Sequence, residues 1–302
     1  MSDNLVTEDL IKKVVKIPDP DSHKGQNGRI LIIGSSPLFH GAGGLALSST
    51  LETINAFASL TNDMVYFAST PENLQYLKGR QQAFIGITRD QIDNYLRVVN
   101  VVLIGPGLMR EEEPNLKETK NEPFITKELT LKVLSLDKKS VLDAGSLQVI
   151  SPEDLKGKSK VIITPHRKEM ANLFDMDEMD FITSYKSSDE EINKVAEKVQ
   201  ALAKDLGITI LLKGPIDIVA NKDGWYYSKG GNAGMAKGGT GDVLAGVVAA
   251  LYTNSDNPLE VSAAGSYITK KAGEALWEEK LMLYNATDLV NALAETIVKI
   301  LK

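Results

Sequence analysis

The stretch SDEEINKVAEKVQALAKDLGITILLKG, Ser188 to Gly214, decides the fold class. Ser188 and Glu191 stand three residues apart, the pattern of a capping box in which each side chain serves a backbone N–H at a helix start. Ile192, Val195, Ala196, Val199, Leu202, Ala203 and Leu206 then recur at helical spacing, so the helix has one apolar face. Gly207 predicts the stop, because glycine takes the left-handed conformation that closes a helix. The apolar run Ile208 to Leu212 is too short for a second helix and reads as a buried strand. A helix leading straight into a buried strand is half of a parallel crossover.

Outward from there the strand signal repeats at Arg29 to Ile33, Met64 to Ala68, Val101 to Ile104, Ser140 to Leu142 and Val161 to Ile163, mostly separated by helical patterns. That alternation predicts an α/β protein with a parallel sheet covered on both faces. Lys222-Asp223-Gly224 between Ile216 to Ala220 and Trp225 to Tyr227 is a hairpin signal, so an antiparallel pair finishes the sheet and the aromatic residues pack it. Thr7 to Lys16 sets Leu10, Ile11, Val14 and Val15 on one helical face and Pro18 and Pro20 stop it, giving an N-terminal helical arm over residues 1–22. HKGQNG, from His23, reads as a polar turn, and Arg110 to Lys127, with its two prolines, as a solvated loop. With no break in composition, residues 1–302 are expected to form a single domain.

Composition removes several classes of function. A net charge of −6 with scattered basic residues leaves no footprint for nucleic acid. Cysteine is absent, which excludes disulfides, thiolate nucleophiles and cysteine-held metals. The N-terminus lacks the apolar core of a signal peptide, and Val247 to Tyr252 is far too short to span a bilayer, so a cytoplasmic protein without a membrane anchor is expected. The three histidines, His23, His40 and His166, have no ligand spacing, so no metal held by histidines is expected.

The chemistry gathers in GGNAGMAKGGTGDVLAGVVAAL, Gly230 to Leu251, where dense glycines precede an apolar helix starting at about Asp242 or Val243. Glycines let several N–H groups converge at a helix amino terminus, where the dipole also favours an anion. Glycine richness alone fits close helix packing equally well; Asp242 favours function. A carboxylate among such amides is expected to be ionised with a depressed pKa, and to serve as a base that acts late, once phosphoryl transfer has acidified the attacking hydroxyl. Lys213 directly follows a strand and so presents its ammonium at the carboxyl edge of the sheet; a solvated strand-end lysine is the plainer alternative. His166 follows the strand VIIT, where parallel sheets place ligand groups.

The same segment resembles the ribokinase-like superfamily, and within it the NAD(P)H-hydrate dehydratases, whose GNPGMATGGTGD pattern reads here GNAGMAKGGTGD with Ala233 and Lys237 as departures. The resemblance continues through HKGQNGRILIIGSS, LIGPG, VLDAGSL, TPHRKEM, LLKG and NATDLVNAL, an ordered series over most of the chain. It implies a three-layer α/β/α ribokinase-like fold with a central, mostly parallel sheet and an antiparallel edge hairpin. It implies that Ala42, Gly107 and His166 line the pocket for a hydrated nicotinamide nucleotide, with Asp242 at the reacting hydroxyl. Lys213, Gly214, Pro215, Ile216, Asp217 and Gly241 would hold the phosphoryl donor, and Gly238, Gly239, Thr240 and Gly241 would form the anion hole. Met109, Gly43 and Gly44 depart from the family pattern on the substrate side.

The implied activity is repair of hydrated NADH and NADPH: phosphorylation of the C6 hydroxyl followed by loss of phosphate. ADP is the expected donor, with ATP the alternative, and Mg²⁺ comes with the nucleotide. A homo-oligomer, with a tetramer as the form considered, and a functional partnership with a separate NAD(P)H-hydrate epimerase complete what the resemblance implies. The main rival is an ATP-dependent kinase of a vitamin or sugar alcohol in the same superfamily. Gly41, Gly43 and Ala46 match a dinucleotide fingerprint, but they lie well past Ile33, and Asp63 precedes the next strand instead of following it, which argues against an oxidoreductase. No Walker A sequence occurs.

Overall fold

The capping box at Ser188 forms: its hydroxyl accepts from the Glu191 N–H, and its own N–H donates to Glu191 Oε2 at 2.8 Å. The helix runs Asp189–Leu206 and ends on Gly207 in the left-handed conformation, with φ of 71°. This computed structural model describes residues 4–15, 21, 28–56, 64–110 and 120–302.

In chain order the elements are α1 (Glu8–Val14), β1 (Arg29–Ile33), α2 (His40–Ala56), β2 (Met64–Ser69), α3 (Pro71–Lys78), β3 (Ile85–Thr88), α4 (Ile92–Leu96) and β4 (Val101–Ile104). Then follow α5 (Glu122–Leu134), β5 (Lys139–Leu142), α6 (Pro152–Leu155), β6 (Val161–Ile163), α7 (Arg167–Phe174), α8 (Asp189–Leu206) and β7 (Thr209–Leu212). The chain closes with β8 (Asp217–Asn221), β9 (Gly224–Ser228), α9 (Thr240–Tyr252), α10 (Pro258–Lys280) and α11 (Ala286–Leu301).

The described strands form one sheet in the order β3-β2-β1-β4-β5-β6-β7-β8-β9. Pairing is parallel from β3 through β7, and antiparallel for β7 with β8 and β8 with β9. Alternate strand residues feed two cores. Ile30, Ile32, Val101, Leu103 and Leu211 pack under α1, α2, α3, α9, α10 and α11, while Leu31, Ile33, Val102, Ile104 and Leu212 pack under α4 to α8. The result is the three-layer arrangement expected. In α9 every residue from Val243 to Tyr252 is buried, so this helix is held on all sides and its amino terminus is fixed in place.

Two readings change. Residues 111–119 of the expected loop lie outside the described residues, but Glu122 opens helix α5, and its buried carboxylate takes both oxygens to Arg89 Nη1 at 2.9 and 2.8 Å. The prolines misled: Pro123 sits at the start of the helix, where a missing N–H costs nothing. Strand β3 was not foreseen because an exposed edge strand of four residues carries little apolar signal. The arm is helical over Glu8–Val14, whereas Pro18, Pro20 and His23 to Asn27 lie outside the described residues.

Candidate active site

Strands β5, β6 and β7 end side by side, and each is followed by a polar residue: Asp143, Thr164 and Lys213. Lys213 Nζ donates to Asp143 Oδ1 at 2.6 Å, reaching across β6, and Thr164 Oγ1 donates to the same oxygen at 2.9 Å. Both charged side chains are largely withdrawn from solvent, at 16% exposure for the lysine and 2% for the aspartate, so the solvated-lysine alternative is excluded. Burial pulls the Lys213 ammonium down, but Asp143, Glu169 and Asp242 outweigh it and its pKa lies above the ordinary lysine value. The lysine therefore stays charged.

Helix α9 starts at Thr240, two or three residues earlier than expected, with Gly239 before it at φ +98°. Only glycine suits that residue, since an added Cβ would also fall 2.5 Å from Leu45 Cδ1. Gly239 has no side chain to cap the helix; the Thr240 N–H reaches the Lys237 carbonyl at 3.5 Å and the Asp242 N–H its own carboxyl, which leaves the Gly241 N–H for a ligand. Thr240 Oγ1 instead donates back to the carbonyls of Met235 and Lys237, at 2.8 and 3.0 Å, which fixes the turn. Gly241 faces Lys213: a Cβ there would lie 3.3 Å from Nζ.

Asp242 lies in this first turn, and its carboxyl is pushed up to about 7. Burial is the main cause, followed by repulsion from Asp143 and Glu169, with Lys213 and the residue's own N–H pulling the other way. The expected depressed carboxyl is thus overturned. The anticipated amides are present, but two unforeseen carboxylates and desolvation outweigh them.

A cavity of about 630 Å³ opens beside these groups, lined among others by His166, Lys213, Gly214, Pro215, Asp217, Thr240 and Gly241. Ile216 is not in its wall; its side chain is buried in the core on the α4 to α8 side of the sheet. The Asp217 carboxylate is already engaged, accepting from the Gly214 N–H at 2.8 Å and Ser266 Oγ at 2.7 Å beside Lys270 Nζ at 3.4 Å. It shapes the 213–217 loop from within. Gly238 is exposed at the tip of the turn and Gly239 packs on Leu45, so neither lines the cavity.

His166 caps α7, its Nδ1 accepting from the Glu169 N–H at 3.2 Å while its backbone N–H donates to Glu169 Oε2 at 2.9 Å. The ring is thereby oriented with Nε2 as the nitrogen that carries the proton of the neutral form. Burial, joined by the charge of Lys213, lowers the imidazole below its ordinary value against the pull of Glu169, so it is neutral at physiological pH. Expected with the substrate residues, it sits in the wall of the same cavity as the donor loop.

Ala42 and Gly107 meet at the ends of β1 and β4: a Cβ on Gly107 would lie 3.1 Å from Ala42 Cβ and 2.5 Å from Phe39 O. They lie outside the wall of the 630 Å³ cavity. The departures here have packing causes. A side chain at Gly43 would start 2.5 Å from Ser35 Oγ, one at Gly44 3.2 Å from Leu77 Cδ2, and Met109 is buried.

Asp143, Glu169 and Lys270 were not assigned roles from the sequence. Asp143 was within reach, since it follows its strand as Lys213 follows β7. Lys270, whose Nζ donates to the Gly214 and Pro215 carbonyls at 3.0 and 3.1 Å, sits inside a long helix beside another lysine and gives no signal.

Sheet order, antiparallel edge and glycine turn at the amino end of α9 define a ribokinase-like protein. A ribokinase-like superfamily protein of Enterococcus faecalis superposes with a TM-score of 0.77 at 23% identity, covering 98% of this chain and 96% of that one. The ADP/ATP-dependent NAD(P)H-hydrate dehydratase of Bacillus subtilis, co-crystallised with ATP and Mg²⁺, gives 0.77 at 22% identity over 99% of each chain. These likenesses carry the fold alone. Residues 30–295 match the NAD(P)H-hydrate dehydratase family, and the chain belongs to it. The ADP-dependent (S)-NAD(P)H-hydrate dehydratase of Cenarchaeum symbiosum is 31% identical over 97% of this chain and 96% of its own. The bifunctional NAD(P)H-hydrate repair enzyme Nnr of Methanocaldococcus jannaschii is 31% identical over 94% of this chain, which spans 51% of that protein.

Proposed function

We propose that this protein is an ADP-dependent dehydratase that returns hydrated NADH and NADPH to the reduced cofactors, with residues 1–302 acting as one catalytic domain. Family membership supports the reaction, and one observation carries the site: Asp242, with its carboxyl near 7, stands in the uncapped first turn of α9 beside the Lys213 ammonium.

The C6 hydroxyl of the hydrated ring is a poor leaving group and must first become a phosphate ester. In this reading Asp242 takes the hydroxyl proton as the oxygen attacks the terminal phosphorus of ADP, and AMP departs. Lys213 and the Thr240 to Gly241 end of the glycine turn stabilise the transferring charge, with Gly238 and Gly239 shaping the turn. The ring nitrogen lone pair then expels phosphate, and loss of the C5 proton restores the dihydropyridine. A base near neutrality removes a hydroxyl proton more readily than an ordinary aspartate would. Ala42, Gly107 and His166 are proposed to hold the hydrated nucleotide, and Lys213 to Asp217 the donor, with the Asp217 carboxylate acting through the loop it braces.

Among the described residues no group of three or more acidic or histidine side chains is placed to cage a metal ion. In this reading a Mg²⁺ would come with the donor's phosphates, where it would neutralise charge. No described helix is long and apolar enough to cross a membrane. The reading carries with it a cytoplasmic homo-oligomer that works beside a separate epimerase. The test is incubation with hydrated NADH and ADP or ATP, following reduced-nicotinamide absorbance and phosphate release together. Phosphorylation of an alcohol without release of phosphate would instead identify a kinase.

A further inference from the structure

Three carboxylates, Asp143, Glu169 and Asp242, act on one buried cation. Among the described residues Lys213 makes its ion pair with Asp143, at 2.6 Å, and none within 4 Å with Asp242. Asp143 cannot itself reach a reactant, being buried with its Oδ1 taken by Lys213 and Thr164. Anything it does for the reaction passes through the lysine.

We propose that Asp143 is a positioning residue that holds the Lys213 ammonium to the β5 side of the site and so leaves the Asp242 carboxylate unpaired for the hydroxyl it deprotonates. This rests on the reading of Asp242 as the base. A buried ammonium deprived of its partner is drawn to the negative charges that remain, here Glu169 and Asp242, because an unpaired buried charge is the costlier arrangement. The charged groups facing Asp242 are Asp143 after β5, Glu169 on α7 and Lys213 after β7. Without Asp143 the strongest repulsion on the Asp242 carboxyl disappears, and the released cation, shared between Glu169 and Asp242, acts in the same direction, so the Asp242 carboxyl falls. A carboxylate paired with a cation loses roughly 1–3 pH units of basicity.

The test is the pH profile of kcat/KM with hydrated NADH and ADP for the wild type, Asp143→Asn, Asp143→Glu and Asp242→Asn. For Asp143→Asn the expected result is an acid limb displaced downward by about one pH unit or more, with kcat near neutrality reduced about tenfold. Asp143→Glu keeps the charge and restores the limb toward its wild-type position. Should Asp143→Asn fail to fold, Asp143→Ser reads the same limb. An acid limb left in place in a folded Asn or Ser variant overturns the positioning role, while the base assignment stands as long as Asp242→Asn is inactive. An active Asp242→Asn enzyme with the wild-type limb overturns both.

Discussion

The backbone carbonyl of Asp143 occupies the space a side chain at Gly105 would need: an added Cβ would lie 1.7 Å from that oxygen. Gly105 also has φ of +123°, so the end of β4 reaches the site only without a side chain. Gly105→Ala should therefore shift Asp143 and its lysine. The backbone strain alone costs about 1–3 kcal/mol, to be read as a lower denaturation midpoint, together with reduced kcat in whatever protein folds. Wild-type stability and rate in this variant would contradict the geometry.

Asp242→Asn separates activity from stability. Loss of a general base lowers turnover about 10²- to 10⁴-fold, while donor binding, measured by titration, stays close to wild type.

Asp242→Asn should also raise stability, because the native carboxyl sits near 7 against an ordinary value of 3.8. The native state holds the proton more tightly than the unfolded chain, so the ionised residue destabilises the fold. That penalty is fully present above about pH 7 and fades as the pH falls toward 4. Replacement by neutral asparagine should gain on the order of 2 kcal/mol near pH 8, after allowance for partial exposure. Thermal melts of both proteins across this range check the sign, and a gain that grew toward low pH would refute it.

Gly241→Val places a branched side chain where Nζ of Lys213 lies 3.3 Å from the Cβ position. The tip of a lysine can give way, so the protein should fold. Donor affinity should fall about tenfold or more through crowding of the anion turn. Calorimetric titration with ADP is the direct measurement.

ADP should give a higher kcat/KM than ATP, since that ratio expresses discrimination between competing donors. The expectation rests on the ADP-dependent name of the 31% identical Cenarchaeum symbiosum relative. A higher ratio for ATP would reverse the donor and leave the dehydration reading in place.

The strands were legible wherever an apolar run ended in a turn signal, and the 188–214 crossover was legible down to its caps, because caps, periodicity and breakers are local. The site was legible only in part. GGTGD announces an anion turn, but the raised Asp242 carboxyl depends on burial and on Asp143 and Glu169, which are far away along the chain and brought near by the fold. Residues such as Asp217 and Lys270 show the same limit: their roles come from partners that only the fold supplies.

The strand order has a consequence for how this protein can change. The residues proposed to grip the hydrated nucleotide come mostly from the first 110 positions, around β1 and β4, and those proposed for the donor lie beyond position 212, around β7, β8 and α9. Between them stand β5 and β6, carrying Asp143, Thr164 and His166. On that proposed assignment, acceptor and donor preference would be written mostly in separate tracts of the gene, with His166 lying between them. A relative could acquire a new acceptor by drift or exchange in the first tract while inheriting its phosphate chemistry intact.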